Sequence, residues 1–285
     1  MSRQRNEQQA QARVWNSPEV VKNWEQASGS RQTAMEEATE EMLLAAGLKS
    51  GDHVLDLAAG IGDQSLLAAR KVGIGGMVLA TDLSPEMLNV ATKRAQQEGF
   101  TTIMTRVMDA EQINLEERSF DAVICRNGLM LLPHLQSALR GVRRVLKPGG
   151  KLAALVWSRN PFHLLPLTVL AKYRGKVSAK SDCSKTGGLP NPFTLSDPAV
   201  FEQALREAGF REVMIRPIAL RLQFASMDTF FESRRGMIAE LTGQMSKQAQ
   251  QQILNEVRQA LSQFEGPEGL VAQGETLLGV GTNPE

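Results

Sequence analysis

The chain is short of the residues that would tie it to a metal, a disulfide scaffold or a polyanion. Its 285 residues include only 2 cysteines and 3 histidines. Cys125 and Cys183 have no metal-ligand spacing around them, so neither a metal site nor a disulfide framework is expected, and a reducing compartment is. No excess of one charge exists either: 32 Lys and Arg face 31 Asp and Glu, a formal net charge of +1. A large nucleic-acid footprint clusters basic residues on one face, and this balance argues against one. No apolar run approaches the roughly 18 residues of a membrane-spanning helix. The opening Met-Ser-Arg-Gln-Arg-Asn-Glu-Gln-Gln is polar and lacks the apolar centre of a signal peptide. These absences predict a cytoplasmic protein with no nucleic-acid partner and no membrane insertion.

What is present suits one α/β domain with insertions, for which 42% hydrophobic content supplies ample core. The chain is organised around residues 53–64. Val54, Leu55 and Leu57 read as a short buried strand, and the small residues Ala58, Ala59, Gly60 and Gly62 follow at once as a tight turn. Ser65 to Val72 then reads as a helix with Arg70 and Lys71 in its last turn. Strand, small-residue loop and helix together let a ligand approach bare backbone and the N–H groups of a helix N-terminus. A dinucleotide loop would bring a pyrophosphate to this place, yet Asp56 and Asp63 flank the small residues. Their carboxylates repel a pyrophosphate and suit a ligand carrying an amino group. The pattern Asp-x-Ala-x-Gly-x-Gly resembles the first motif of class I S-adenosylmethionine-dependent methyltransferases, with Ala58 where the family usually has its first glycine.

The preceding segment predicts two helices. One follows the Ser17-Pro18 start and carries Val20, Val21 and Trp24, and the other covers Thr33 to Ala46 with Gly47 as its stop. A second strand, Gly76 to Asp82, ends in an acid 26 positions after Asp56. At the carboxyl edge of a parallel sheet such an acid can accept both hydroxyls of a ribose. Ser84 caps the next helix and Pro85 opens it, leaving Leu83 and Met87 to flank an adenine ring. The third strand is Thr102 to Val107. Asp109 beyond it can accept from an exocyclic amine while Ala110 offers a backbone N–H. The fourth strand ends at Arg126 and Asn127, close to where the methionine portion of such a ligand would lie. A helix over Leu135 to Leu146, stopped by Lys147-Pro148-Gly149-Gly150, leads into a fifth strand, Lys151 to Trp157.

Taken in order, Val-Leu-Asp-Leu-Ala-Ala-Gly-Ile-Gly-Asp, Ala-Thr-Asp-Leu-Ser-Pro-Glu-Met-Leu, Asp-Ala-Glu, Ser-Phe-Asp-Ala-Val and Arg-Val-Leu-Lys-Pro-Gly-Gly resemble the class I methyltransferase core over about residues 40–157. Within that class the chain is most similar to small-molecule enzymes related to the ubiquinone and menaquinone biosynthesis C-methyltransferases. The resemblance implies a Rossmann-like, doubly wound seven-stranded α/β sheet, mostly parallel with the last strand antiparallel, and helical lid insertions. It implies S-adenosylmethionine as cofactor, S-adenosylhomocysteine as product, and a cofactor set of Asp56, Ala58, Gly60, Gly62, Asp82, Leu83, Met87, Asp109, Ala110, Glu111, Arg126 and Asn127. In related enzymes the N-terminal helices lie over the cofactor, which assigns that part here to the segment from Trp24 to Gln32. The Arg-Asn pair of the quinone enzymes aligns with Met130-Leu131 in this chain, and Arg126-Asn127 falls four residues earlier, so a quinone precursor is not implied as substrate.

Beyond Trp157 the chain predicts an apolar helix around Phe162 to Leu170, a polar loop, a helix over Val200 to Ala208, a strand from Phe210 that Leu220 to Phe224 extends past Pro217, two amphipathic helices within Met227 to Phe264, and a last strand over Leu270 to Gly281. Insertions at about 158–198 and 225–268 are where substrate choice should reside, with the whole chain one methyltransferase domain. Phe162, Leu164, Leu165, Met227, Phe230, Phe231, Met237 and Ile238 give them an apolar lining. Methyl transfer needs an acceptor held in line with the sulfonium and, for some acceptors, a base. Of the three histidines, His53 opens the first strand at the wrong edge and His134 caps a helix, which leaves His163 as the catalytic candidate; Tyr173, Glu232 and no base at all stay open. A small molecule is the expected partner, and a second copy of the chain, as a homodimer, is admissible. Two other readings remain: a member of the fold that binds S-adenosylmethionine without methylating, and an NAD-type oxidoreductase, which Asp56 and the Pro-Gly-Gly turn disfavour.

Overall fold

The computed structural model describes residues 15–26, 28–159, 161–173, 191–235 and 245–284, together with 238 and 242. Two compact units divide the chain. One is formed by 1–34, 159–191 and 219–275, and the other by 35–158, 192–218 and 276–285.

One mixed sheet runs through the fold. Strands β1 (His53–Leu57), β2 (Met77–Asp82), β3 (Ile103–Val107), β4 (Phe120–Arg126), β5 (Leu146–Trp157), β6 (Arg211–Phe224) and β8 (Gly269–Thr282) lie in the order β3-β2-β1-β4-β5-β8-β6. The pairs β1·β2, β2·β3, β1·β4 and β4·β5 are parallel. β8 runs antiparallel to β5, as expected of the last strand. The expected seven strands make up this path; an eighth, the two-residue β7 (Glu265–Gly266), pairs with the start of β8. Parallel order demands crossover helices on the faces of the sheet, so the central strands carry long apolar runs. Val54, Leu55, Val123, Ile124, Leu152 and Ala153 have no exposed surface.

Pro217 has no N–H to give a ladder, and β6 tolerates it because β6 is the last strand of the sheet. That placement is why the segments on either side of Pro217 form one continuous strand.

Helices α1 (Pro18–Gln26) and α2 (Ser28–Ala45) precede β1, and α2 begins five residues before the expected Thr33. α3 (Asp63–Val72) follows the small-residue loop, and Gly62 occupies its N-cap position in a left-handed conformation at φ 80°. α4 (Pro85–Gln97) opens as predicted: the Ser84 hydroxyl accepts from the Met87 N–H, and Pro85, with no N–H to lose, sits in the first turn. α5 (Leu135–Val145) and α7 (Pro198–Glu207, capped by Asp197) pack in the second unit. α6 (Pro161–Tyr173), α8 (Met227–Glu232) and α9 (Lys247–Leu261) belong to the first. Among the described residues no helix is long and apolar enough to cross a membrane.

The Lys147-Pro148-Gly149-Gly150 turn departs from expectation, for it is the first part of β5 and not a stop before it. The reason lies more than 130 residues away. The Gly149 N–H donates to the Asn283 carbonyl at 2.9 Å, the Asn283 N–H donates to the Gly150 carbonyl at 2.8 Å, and the Asn283 amide donates to the Leu146 carbonyl. A β-carbon on Gly150 would meet the Asp121 carbonyl at 2.8 Å, so the close approach requires glycine there.

Candidate cofactor site

The carboxyl ends of β1, β2, β3 and β4 are neighbours in the second unit, and these strand ends, the loops leaving them and the first turn of α4 carry the predicted cofactor residues. Leaving β1, the chain alternates into left-handed conformations at Ala58 (φ 56°), Gly60 (57°) and Gly62 (80°). This aims successive N–H groups at acceptors around the loop. Ala59 N–H is taken by the Thr81 carbonyl at 2.9 Å, and Gly60 N–H donates to Asp82 Oδ2 at 2.8 Å. Asp82 Oδ1 accepts from the Ser84 N–H at 2.9 Å. The acid at the end of β2 is therefore held by backbone donors from two loops and aims a fixed carboxylate at the sheet edge. Burial raises its pKa, against the pull of the Ser84, Gly60 and Leu83 N–H groups. Leu83 is half-buried and Met87 buried beside it.

At the end of β3, Asp109 accepts the Glu111 N–H at 2.8 Å, and Ala110 is buried between them. Glu111 Oε1 accepts the His134 N–H at 2.6 Å, which ties this loop to the start of α5. His134 occupies the N-cap position, as expected, but its side chain makes no capping hydrogen bond.

Asp56 lies deeper than its neighbours. It has no exposed surface, and its two oxygens accept from the Gln64 amide, at 2.9 Å, and the Ser65 hydroxyl, both in the first turn of α3. Burial pushes its pKa up from the ordinary 3.8 to about 7, against the hydrogen bonds from Ser65 and Gln64 and the attraction of Arg126. Between those two values the folded chain keeps a proton that the unfolded chain has released. This contribution to stability is fully present below about pH 4 and is lost as pH rises through about 7. Asp56→Asn should remove that slope: against wild type, its unfolding free energy should gain steadily from pH 5 to about pH 7 and then level off, by about 2.7 kcal/mol for about two pKa units at 1.36 kcal/mol each. A constant difference between the two proteins across that range would show that Asp56 is ionised throughout.

Sequence reasoning missed what surrounds Asp63. This carboxylate is 2% exposed, accepting from Arg94 Nη1 at 2.6 Å on one oxygen and from Arg126 Nη2 at 2.8 Å on the other. Arg94 also donates to the Ile61 carbonyl in the loop, and Arg126 to the Thr39 hydroxyl in α2. The guanidinium of Arg126 is thus committed inside the protein. Asn127 continues from it at φ 59°, and its Oδ1 is buried with no hydrogen-bond partner among the described residues. Gly128 packs on the loop itself, since a β-carbon there would come within 2.7 Å of Ala58 Cβ and of Cys125 Sγ. Burial lifts the pKa of the Cys125 thiol to about 12, so it serves as a packing group and not as a nucleophile.

His53 lies at the start of β1, the opposite edge, as expected. That edge also has a cavity of about 320 Å³ lined by Lys49, Asp52, Asp121 and 147–151. His163 is in α6, and its side chain lies outside the described residues. Met237 and Cys183 also lie outside them. The other base candidates are engaged in the first unit: Tyr173 hydrogen-bonds Glu256, which raises the phenol pKa, and Glu232 pairs with Arg235.

Residues 54–150 match a family model described as a methyltransferase domain. The chain is 34% identical over 177 residues to the ubiquinone/menaquinone biosynthesis C-methyltransferase of Chromobacterium violaceum, covering 60% of this chain and 72% of that one. The enzyme of the same name from Neisseria meningitidis is 34% identical over 180 residues, covering 59% and 70%. Among solved structures, the YcgJ protein from Bacillus subtilis superposes with a TM-score of 0.61 at 18% identity, over 88% of this chain and 99% of that one.

Proposed function

The chain belongs to the class I S-adenosylmethionine-dependent methyltransferases related to the ubiquinone and menaquinone biosynthesis C-methyltransferases, and from that premise we propose that it methylates a small, largely apolar molecule. It is accordingly an enzyme, and its cofactor is S-adenosylmethionine. Bound, that cofactor supplies a methyl group made electrophilic by a sulfonium, and S-adenosylhomocysteine is left behind.

The observation that carries the assignment of the site is the Asp82 carboxylate, fixed by the Gly60 and Ser84 N–H groups at the end of β2. Each oxygen retains a lone pair, which suits the two hydroxyls of a ribose. Leu83 and Met87 would flank the adenine, with Asp109 and the Ala110 N–H at its polar edge and Glu111 holding their loop in place. The orphaned Asn127 Oδ1 and the bare loop from Ala58 to Gly62 fit the amino-acid end of the cofactor. Asp56 has no exposed surface, and the Arg126 side chain is 5% exposed with its guanidinium paired to Asp63. We assign them to the shape and charge of the loop, Asp56 through Gln64 and Ser65 and Arg126 through Asp63.

A loop fixed in this way would hold the cofactor's sulfur in one orientation, and orientation supplies much of the rate of a bimolecular displacement. For an acceptor that must lose a proton, His163 is the assigned base. Substrate choice is assigned to the insertions near 158–198 and 225–268, whose described apolar residues include Phe162, Met227 and Phe230. The test is incubation with methyl-labelled S-adenosylmethionine and a panel of small apolar acids, phenols and amines. Label should move to a member of the panel. Tight binding of S-adenosylhomocysteine with no transfer to any small molecule would favour a binding role without methylation.

A further inference from the structure

One buried hydroxyl stands on an otherwise apolar helix face. Thr39 lies in the part of α2 that belongs to the second unit, and it has no exposed surface. Its neighbours at helical spacing, Met35, Ala38, Met42 and Leu43, are at most 1% exposed. A hydroxyl in such surroundings costs free energy unless it is hydrogen-bonded, and valine would fill the same space without that cost. Packing alone therefore does not explain a threonine here.

The hydroxyl has a partner in each direction. It donates to the Met35 carbonyl at 2.7 Å, a bond one turn back along the helix, and it accepts from Arg126 Nη1 at 3.1 Å. Arg126 is the last residue of β4, and its Nη2 donates to Asp63 at 2.8 Å. Asp63 opens α3 directly after Gly62, and its other oxygen accepts from Arg94, which also donates to the Ile61 carbonyl. A line of hydrogen bonds thus runs from α2 through Arg126 to the exit of the Ala58 to Gly62 loop. One hydrogen bond leaves a guanidinium free to turn about it, whereas a second, to a different element, fixes its plane.

We infer that Thr39 is a positioning residue for the cofactor: its hydroxyl fixes the guanidinium of Arg126 and, through Asp63, the loop assigned to the amino-acid end of S-adenosylmethionine. The inference deepens the methyltransferase reading and rests on it. Thr39 has no surface to offer a ligand and acts only through Arg126. Without the hydroxyl, Arg126 keeps Asp63 but loses its second anchor, and the loop is held less closely in the shape that takes the cofactor.

The experiment compares Thr39→Val, which keeps the shape and loses the hydroxyl, with Thr39→Ser, which keeps the hydroxyl and loses the methyl. Calorimetry measures the affinity of each full-length protein for S-adenosylhomocysteine at a temperature where circular dichroism shows it folded. Thr39→Val should bind about tenfold more weakly than the unaltered protein, and Thr39→Ser should stay within about twofold of it. A threonine that only stabilises its helix would lower the melting temperature and leave both affinities alone. That result overturns the inference, as does a serine variant as weak as the valine one. Arg126→Lys decides the matter should Thr39→Val not fold: it keeps the charge beside Asp63 without the second arm of the fork, so it should also weaken binding about tenfold, and an affinity equal to that of the unaltered protein overturns the inference. These outcomes concern Thr39 alone, whereas an unaltered protein that binds no S-adenosylhomocysteine overturns the cofactor reading and this inference with it.

Discussion

Asp82→Ala should weaken binding of S-adenosylhomocysteine by at least about 100-fold. Hydrogen bonds to a charged acceptor contribute about 1.5–3 kcal/mol each, and two ribose hydroxyls would lose theirs together. The same change frees the Gly60 and Ser84 N–H groups, whose acceptor is this carboxylate, and so loosens the turn that meets the amino-acid end of the cofactor. Burial already disfavours the Asp82 charge, so its removal also relieves a cost, and the fold should survive. Asp82→Asn retains one carbonyl acceptor and should fall between the two. Calorimetric titration measures the affinities, and a far-ultraviolet circular dichroism melt checks the fold. Affinity within threefold of wild type in a folded Asp82→Ala protein would move the ribose to another place.

Asp63→Asn should have the largest effect on stability, about 3–5 kcal/mol, because it leaves a buried arginine without its counter-charge. The two arginines do not share that loss equally. The side chain of Arg94 is 20% exposed and can turn to water, whereas that of Arg126 is 5% exposed and cannot. Adding Arg126→Met to Asp63→Asn should therefore recover much of the loss, with a coupling energy well above the few tenths of a kcal/mol seen for distant pairs. Chemical unfolding of the two single variants and the double variant closes the cycle. Additive losses would show that the Asp63 contacts act independently and that no charge is stranded.

Much of the frame could be read from residue order because its causes are local. Ser84-Pro85 announces a helix start by chemistry alone, and apolar runs bounded by small residues mark β1, β2 and β4. Once the strands are parallel, Asp82, Asp109 and Asn127 must share an edge, whatever their side chains do there. The features that escaped depend on distant partners. Asp63 meets Arg94 and Arg126, 31 and 63 positions away, and no spacing rule connects them. The sole local hint was a carboxylate at the first position of a helix that follows a glycine, where the helix dipole already favours negative charge. The place of Asp56 in the pattern is visible in sequence and its depth is not. Asn283 likewise converts the Lys147 to Gly150 turn into strand from the far end of the chain.

The most direct measurement is a crystal structure of the protein with S-adenosylhomocysteine. Both ribose hydroxyls should lie within hydrogen-bond reach of the Asp82 carboxylate, with the amino-acid end against the loop from Ala58 to Gly62 and beside Asn127. A ligand seated elsewhere, such as the cavity by Lys49 and Asp121 at the opposite edge of the sheet, would contradict the account.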